Sequence, residues 1–300
     1  MKSLKDLTVI IVTYNTSQKV ILDCLDSISK DVNILIVENS SSFINENLVI
    51  TKFPNVNIIC TGENLGYGKG NNFGINHVKT DYVLILNPDV TCDNKFFSNI
   101  LSVINEAKNF TIIGCQYLSD NVFMPAGFFE KKNNDNFVKD FKSSNINSIT
   151  EVEWVTGCSM LLNLKKFNNR DIFDKNFFLY FEEFDLCKSI IRTGGKIYTT
   201  NKLKIHHLGF KSSLNEDEIE NLKTMNIKDW HFMWSSFYFY KKNYNFFYAL
   251  FKLSGKLLKS LIKMIYFSIT FQKNNKNKYL YRFLGLFNSM IGNPSNYRGK

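Results

Sequence analysis

Four short apolar runs, each ending in polar residues, constrain this chain more than any other feature. Thr8–Val12, Asn33–Val37, Val56–Cys60 and Tyr82–Leu86 read as strands. Val20–Ile28 and Gly66–Val78 have helical spacing between them, and Phe96–Ala107 follows as a third helix. Apolar strands alternating with helices predict a mostly parallel α/β sheet covered on both faces. Further strands are expected over Phe110–Tyr117, Val152–Asn163 and Lys196–Thr200. A helix is expected over Glu182–Arg192, stopped by Gly194-Gly195. Lys131–Thr150 is polar and weakly patterned, and reads as a mobile excursion. A length of 300 residues suits one large domain, alone or with an appendage.

In an open α/β sheet, ligands bind outside the carboxyl ends of the parallel strands. Four such ends carry polar groups here: Thr13-Tyr14-Asn15, Glu38-Asn39-Ser40, Glu63-Asn64-Leu65-Gly66 and Asn87-Pro88-Asp89. Each alone is more often a turn than a site. Four of them on one sheet edge are a stronger signal. Asp89 follows an apolar strand and a proline, so a stiff backbone presents its carboxylate. A hard divalent cation bridging two phosphates needs one or two carboxylates from protein and little else.

Gly66 to Asn72 opens a helix with glycines that would let backbone approach an anion. The segment lacks the Gly-Lys-Ser/Thr ending of a P-loop. It follows the third strand rather than the first, which argues against a dinucleotide fingerprint. Glu182, Glu183 and Asp185 crowd three carboxylates beside the Phe178–Phe181 run. Acidic residues suit a helix N-terminus for purely structural reasons. The alternative is a general base whose proton affinity an apolar wall has raised. His206-His207 could complete a metal shell or contact a phosphate, or be ordinary loop histidines.

The net charge is +10, with the excess concentrated after about Lys241. From Glu216 onward the pattern is helical. Phe246–Phe271 is apolar but interrupted by Lys252, Lys256, Lys259 and Lys263, which share one helical face. Phe247, Leu250, Phe251, Leu257, Leu258, Leu261, Ile262 and Ile265 occupy the others. Such a helix is too charged to span a bilayer. It suits an anionic membrane surface better than nucleic acid, or else packs on the α/β part with its lysines in water. The six cysteines, Cys24, Cys60, Cys92, Cys115, Cys158 and Cys187, are scattered without a CxxC pair. Neither zinc spacing nor a disulfide framework is expected, and most read as small buried residues in a reducing compartment. Met1 to Asp6 run straight into a strand without a signal peptide, so a cytoplasmic location is expected.

The motifs Val9-Ile10-Ile11-Val12-Thr13-Tyr14-Asn15, Ile36-Val37-Glu38-Asn39-Ser40-Ser41, Glu63 to Asn72, Leu84 to Val90, Gly157-Cys158-Ser159-Met160, Phe178 to Leu186 and His206-His207-Leu208-Gly209 occur in this order. Together they resemble the family 2 glycosyltransferases of the GT-A fold, particularly the bacterial rhamnosyltransferase-like branch, over about residues 7–213. The resemblance implies a GT-A catalytic domain over 1–213, with a helical, membrane-associating extension over 214–300. It implies that Thr13, Tyr14 and Asn15 line the nucleotide pocket, together with Asn39 and Lys69. Glu38 would contact base or ribose, in a position where the family usually has Asp. Asn64, Gly66 and Asn72 would border the nucleotide and its phosphates. Asn87, Pro88 and Asp89 stand at the family's DxD metal motif, with Asp89 as its last Asp. Glu183 holds the position of the catalytic base, with Glu182 and Asp185 as alternatives. His207 resembles the family's C-terminal histidine near the diphosphate, and would join Asp89 as a metal ligand.

The implied reaction is an inverting transfer that depends on a divalent metal, Mn2+ or Mg2+. The first donor is dTDP-L-rhamnose, with UDP-hexose or UDP-galactofuranose as the alternative. The implied acceptor is a polyprenyl-diphosphate-linked or cell-surface glycan, met by a peripheral protein on the inner face of the cytoplasmic membrane. A homo-oligomer is compatible with this reading, and nucleic acid is not expected as a partner. A non-catalytic nucleotide- or glycan-binding module on the same fold is a rival from another class, as is a membrane-surface adaptor. The presence of both Asp89 and the Glu182-Glu183 pair argues against the module.

Overall fold

The computed structural model describes residues 3–119, 122–123, 126–132, 135–137, 149–207 and 218–299. The chain begins β1 (Leu7–Thr13), α1 (Gln18–Asp26), β2 (Asn33–Glu38), α2 (Glu46–Lys52), β3 (Val56–Cys60), α3 (Gly66–His77), β4 (Tyr82–Leu86), β5 (Val90–Cys92) and α4 (Phe96–Glu106). It continues with β6 (Phe110–Ser119), β7 (Val122–Phe123), β8 (Gly127–Lys132), β9 (Asp135–Phe137), β10 (Ile149–Val152), β11 (Ser159–Asn163), α5 (Glu182–Arg192) and β12 (Lys196–His207). Three long helices follow: α6 (Glu218–Asn243), α7 (Phe246–Ile269) and α8 (Lys273–Met290). Two compact units result. The first comprises Met1–Leu65, Lys69–Phe173 and Leu186–Ser213, and the second Gly66–Gly68, Asp174–Asp185 and Leu214–Lys300.

In the first unit, β3, β2, β1 and β4 lie side by side and parallel. The sheet then becomes mixed. β11 is antiparallel to both β4 and β6, β12 runs parallel to β6, and β10 closes the edge antiparallel to β12. Val9 and Ile11 of β1, Ile36 of β2 and Leu84 of β4 share a core with Ile21 and Leu25 of α1 and Phe96 and Ile100 of α4. The opposite face meets α3. A Cβ on Gly74 would sit 2.9 Å from Ile10 Cγ2 and from Val37 Cγ2, so glycine there lets the helix lie directly on the sheet. The strands are thus buried from both sides, as their unbroken apolar runs require.

Several expectations change. Val152–Asn163 is not one strand: β10 ends at Val152, Trp154 bridges to Gly127, and β11 begins at Ser159. Between them Val155 turns inward, filling the space that a side chain on Gly114 would occupy. The strand expected over Lys196–Thr200 runs on to His207, past an irregularity between Thr200 and Lys204. α2 and β5 were not expected. α2 buries only Val49 and β5 is three residues long, so neither leaves a readable period. Most of the Lys131–Thr150 stretch lies outside the described residues. The stop after α5 is as expected: Gly194 takes φ +76°, and Gly195 N–H donates to Ile190 O at 2.9 Å. Five cysteines are buried and only Cys60 is exposed.

In the second unit, Met233 and Phe237 of α6, Ala249 and Leu253 of α7 and Leu286 of α8 form the core. A side chain on Gly285 would overlap the backbone carbonyl of Trp230, so this glycine lets α8 close on α6. Asn245 caps α7 by accepting from Tyr248 N–H at 2.8 Å.

Candidate active site

The first unit carries the strand-end residues. Thr13 and Glu38 are register partners at the ends of β1 and β2. Thr13 Oγ1 donates to Glu38 Oε2 at 2.6 Å with both residues buried, while Glu38 Oε1 makes no hydrogen bond among the described residues. One oxygen of the carboxylate is therefore anchored and the other left over. Tyr14 and Asn15 are exposed just beyond, and Asn15 turns the chain with φ +50°. Asn39 is buried instead: its N–H donates to Thr13 O at 2.8 Å, and its side chain lies where a Cβ on Gly70 would meet it. Asn64 and Lys69 are half-buried.

Asn72 carries a structural task in addition to the position expected of it. Its amide donates to Phe173 O at 2.8 Å and accepts from Phe173 N–H at 2.9 Å, fully buried. Both ends of the side chain are used to pin backbone, which makes it a structural residue here. Gly66 belongs to the second unit, where it takes φ +79°. A side chain there would overlap the carbonyl of Phe178, so close packing alone requires the glycine.

The turn after β4 sets Asp89. Asn87 N–H donates to Cys158 O at 2.9 Å, and Val90 N–H closes the turn onto Asn87 O at 3.2 Å, with Pro88 buried inside it. β5 then pairs antiparallel with the far end of β12, placing His207 opposite Val90. This register brings His207 Nε2 to 3.3 Å from Asp89 Oδ1. The distance is that of an ion pair, but the alignment is not that of a hydrogen bond, and Asp89 Oδ1 makes none among the described residues. Asp89 is only 2% exposed. Burial and the Asp89 charge together push the nearby Cys24 thiol up, keeping it a neutral thiol.

A buried carboxylate oxygen without a hydrogen bond is costly unless something pairs with it. The carboxylate oxygen suits Mn2+ or Mg2+, whereas the imidazole nitrogen would suit Mn2+ better than the harder Mg2+. Among the described residues no group of three or more His, Cys, Asp or Glu is placed to hold a metal ion. Asp89 and His207 would thus supply one or two ligands, and diphosphate and water the rest.

The second unit carries the acidic segment. Tyr180 and Phe181 both adopt left-handed backbone, with φ +69° and +68°. Two consecutive aromatic residues in this region cost roughly 1–2 kcal/mol each, so packing must hold them. Ser235 Oγ of α6 donates to Leu179 O at 2.8 Å, and Tyr67 N–H donates to Phe178 O at 3.0 Å. The Phe181 ring packs against Phe184, Phe232 and Phe239, and the Tyr180 ring meets Phe232 edge-on. The double turn starts α5 at Glu182, and Asp185 N–H closes its first bond on Phe181 O at 2.9 Å.

The three carboxylates then diverge. Asp185 is consumed: Lys242 Nζ binds Oδ2 at 2.6 Å and Asn243 Nδ2 donates to Oδ1 at 2.8 Å. Lys242 also reaches Asp174 Oδ2 at 2.6 Å. Glu182 is buried, its Oε2 makes no hydrogen bond among the described residues, and burial followed by the Glu183 charge raises its proton affinity strongly. Glu183 is half-buried, and desolvation lifts it to about 7, against the pull of backbone N–H groups at the start of α5. Desolvation raises the proton affinity of both neighbouring carboxylates, so the Glu182–Glu183 pair keeps a proton toward neutral pH, as a general base requires. Lys242, Asn243 and Ser235 were not anticipated, because nothing local to α6 marks them as partners of this segment.

The family model described as Glycosyl transferase family 2 matches residues 8–184. The chain belongs to that family, and its mixed sheet with flanking helices is the GT-A fold. It is 28% identical over 196 residues to the low-salt glycan biosynthesis hexosyltransferase Agl10 of Haloferax volcanii, covering 61% of each chain. It is 25% identical over 204 residues to the rhamnosyltransferase WbbL of Escherichia coli K12, covering 60% of this chain and 74% of the relative. The alignment thus spans about three-fifths of the Haloferax protein's length. Among solved structures, the mannosyltransferase PcManGT of Pyrobaculum calidifontis, in complex with GDP-Man and Mn2+, superposes with a TM-score of 0.53 at 12% identity, covering 95% of this chain and 87% of that one. GalNAc-T7 with UDP, GalNAc and Mn2+ gives a TM-score of 0.53 at 11% identity, covering 86% of this chain and 58% of that one.

Proposed function

We propose that this chain is an inverting, metal-dependent glycosyltransferase. The observation that carries the reading is the buried Asp89 Oδ1, without a hydrogen bond and 3.3 Å from His207 Nε2. Thr13, Tyr14 and Asn15 would receive the nucleotide, with Glu38 accepting from base or ribose through the oxygen that Thr13 leaves over. A divalent cation held by Asp89 and His207 would act as a Lewis acid toward the diphosphate leaving group. Glu183 takes the proton from the acceptor hydroxyl. The freed oxygen attacks the anomeric carbon, the bond to the diphosphate breaks on the opposite face, and the configuration inverts. No covalent enzyme intermediate is involved. Asp185, held by Lys242 and Asn243, orients the segment instead of acting as the base.

The donor we favour is dTDP-L-rhamnose, supported by the likeness to a rhamnosyltransferase. UDP-hexose is the second choice, supported by the likeness to a hexosyltransferase. The acceptor is a polyprenyl-diphosphate-linked glycan, met at the inner face of the cytoplasmic membrane. The test is incubation with a panel of nucleotide-sugars, with Mn2+ and then with chelator, reading donor consumption and the anomeric configuration of the product. Retention of configuration, or turnover indifferent to chelator, would sink the mechanism.

A further inference from the structure

Helix α7 has three faces. Ala249, Leu253 and Ser260 are buried, and Leu250 and Leu257 pack beside them on the core of the helical unit. Leu250 and Leu257, expected only on the faces without lysine, thus belong to the packed face. The second face holds Lys252, Lys256, Lys259 and Lys263. The third is apolar and bare: Phe247 is 78% exposed, Phe251 85%, Leu258 58%, Ile262 56%, Ile265 49% and Ile269 70%. At about 100° per residue the centres of the three faces lie roughly 120° apart. The bare stripe runs about 33 Å along the helix, from Phe247 to Ile269. Contiguous exposed apolar surface of this kind marks a docking face.

Charge selects the occupant. Residues 230–300 hold twelve of the 37 Lys and Arg and none of the 27 Asp and Glu, so the rest of the chain carries −2 in total. A second copy docking on the stripe would bring two strongly cationic surfaces together. No helix among the described residues is long and apolar enough to cross a membrane. A lipid surface with anionic headgroups satisfies both the apolar stripe and the lysines.

We infer that α7 lies flat in the interface of an anionic bilayer, with Phe247, Phe251, Leu258, Ile262, Ile265 and Ile269 among the acyl chains and Lys252 and Lys259 at the headgroups. This deepens the peripheral, lipid-linked reading above by assigning the contacting face. Flotation of the full chain with phosphatidylglycerol–phosphatidylcholine vesicles tests it. Wild type floats with these vesicles, at least about tenfold less with phosphatidylcholine alone, and less at high salt. The triple variant Phe251→Ser/Ile262→Ser/Ile269→Ser, which touches only bare positions, melts normally yet loses flotation at least about tenfold. Lys252→Glu/Lys259→Glu loses the preference for anionic lipid. Wild type that stays with the buffer, or a triple variant that floats like wild type, overturns the inference. So does a dimer of wild type that the triple variant breaks without any vesicle binding. Metal-dependent donor hydrolysis in solution stays unchanged in the triple variant; its absence from wild type would count against the catalytic reading and leave the lipid result standing.

Discussion

Asp89 and Glu183 are both carboxylates expected to do chemistry, and the fold holds them in opposite ways. Asp89 sits at the end of regular sheet. A tight turn and the β5–β12 register fix it, and no residue from Asn87 to Cys92 has a positive φ. Glu183 follows two left-handed aromatic residues and is held by contacts from helices far along the chain. The first arrangement is rigid because many backbone bonds define it. The second is strained locally, and a few side chains hold it in place. Damage near Asp89 should therefore remove function with little structural effect. Loss of the contacts that support the acidic segment should cost stability and positioning together.

The largest effect is expected at Asp89. Asp89→Ala removes the buried oxygen on which the donor-side reading depends. Transfer should fall by about 10³-fold or more, the scale seen when electrostatic stabilisation of a leaving group is lost. The melting temperature should hold or rise, because a buried carboxylate oxygen without a hydrogen bond costs stability. An Asp89→Ala protein that keeps most of its activity would erase the distinction between the two regions.

Glu183→Gln comes next, with a loss of about 10²–10⁴-fold, the usual contribution of a general base. Its pH behaviour sharpens the comparison. In wild type, kcat/KM should rise with pH through about 7 and level off above it, as the Glu182–Glu183 pair gives up a proton. The raised proton affinity also acts on stability. The folded state holds the Glu183 proton more tightly than the unfolded state, so this contribution is fully present below about 4.5 and is lost as pH rises through about 7. At pH 8 the ionised side chain is a burden that glutamine does not carry. Glu183→Gln should then be more stable than wild type by about 1–3 kcal/mol, with a much smaller gain at pH 4. Denaturant titrations at the two pH values check this.

How well each region could be read from sequence follows the same contrast. β1 to β4 were legible because strands buried on both faces are unbroken apolar runs, and their polar ends marked the sheet edge. The pairing of Asp89 with His207 is expected from the family resemblance and from no local pattern in the chain. It depends on β5, three residues long, and on β12 continuing past Thr200, and neither carries a period. The acidic segment was legible as composition alone. Lys242 and Asn243 lie 57 and 58 residues beyond the Asp185 they hold, and only the fold brings them there. The structural task of Asn72 was hidden for a related reason: a motif shows an amide but not the Phe173 backbone that it pins.

Lys242→Met tests the support of the acidic segment at intermediate strength. It leaves Asp174 without its cation and Asp185 with Asn243 alone, so about 2 kcal/mol of stability should be lost, discounted for the partial exposure of the lysine. Activity should fall through kcat more than through KM, since the donor residues are untouched. Lys242→Arg, which keeps a cation, should recover part of both.

The smallest change is Ser235→Ala, which removes one hydrogen bond to Leu179 O at the entrance to the left-handed pair. A single bond of this kind contributes about 1 kcal/mol, against strain of roughly 1–2 kcal/mol at each of Tyr180 and Phe181 that the aromatic packing also opposes. The bond is a minor share of what holds the turn, so the segment should loosen without unfolding. Hydrogen exchange should quicken at Phe181 to Asp185 while the amides of β1 to β4 stay protected. The kcat should drop several-fold, KM should hold, and the pH break near 7 should move toward the ordinary carboxylate range as water reaches Glu183. A pH profile unchanged in Ser235→Ala would show that the aromatic packing of Phe181 holds the turn by itself, and that the hydroxyl contributes only to the stability of α6.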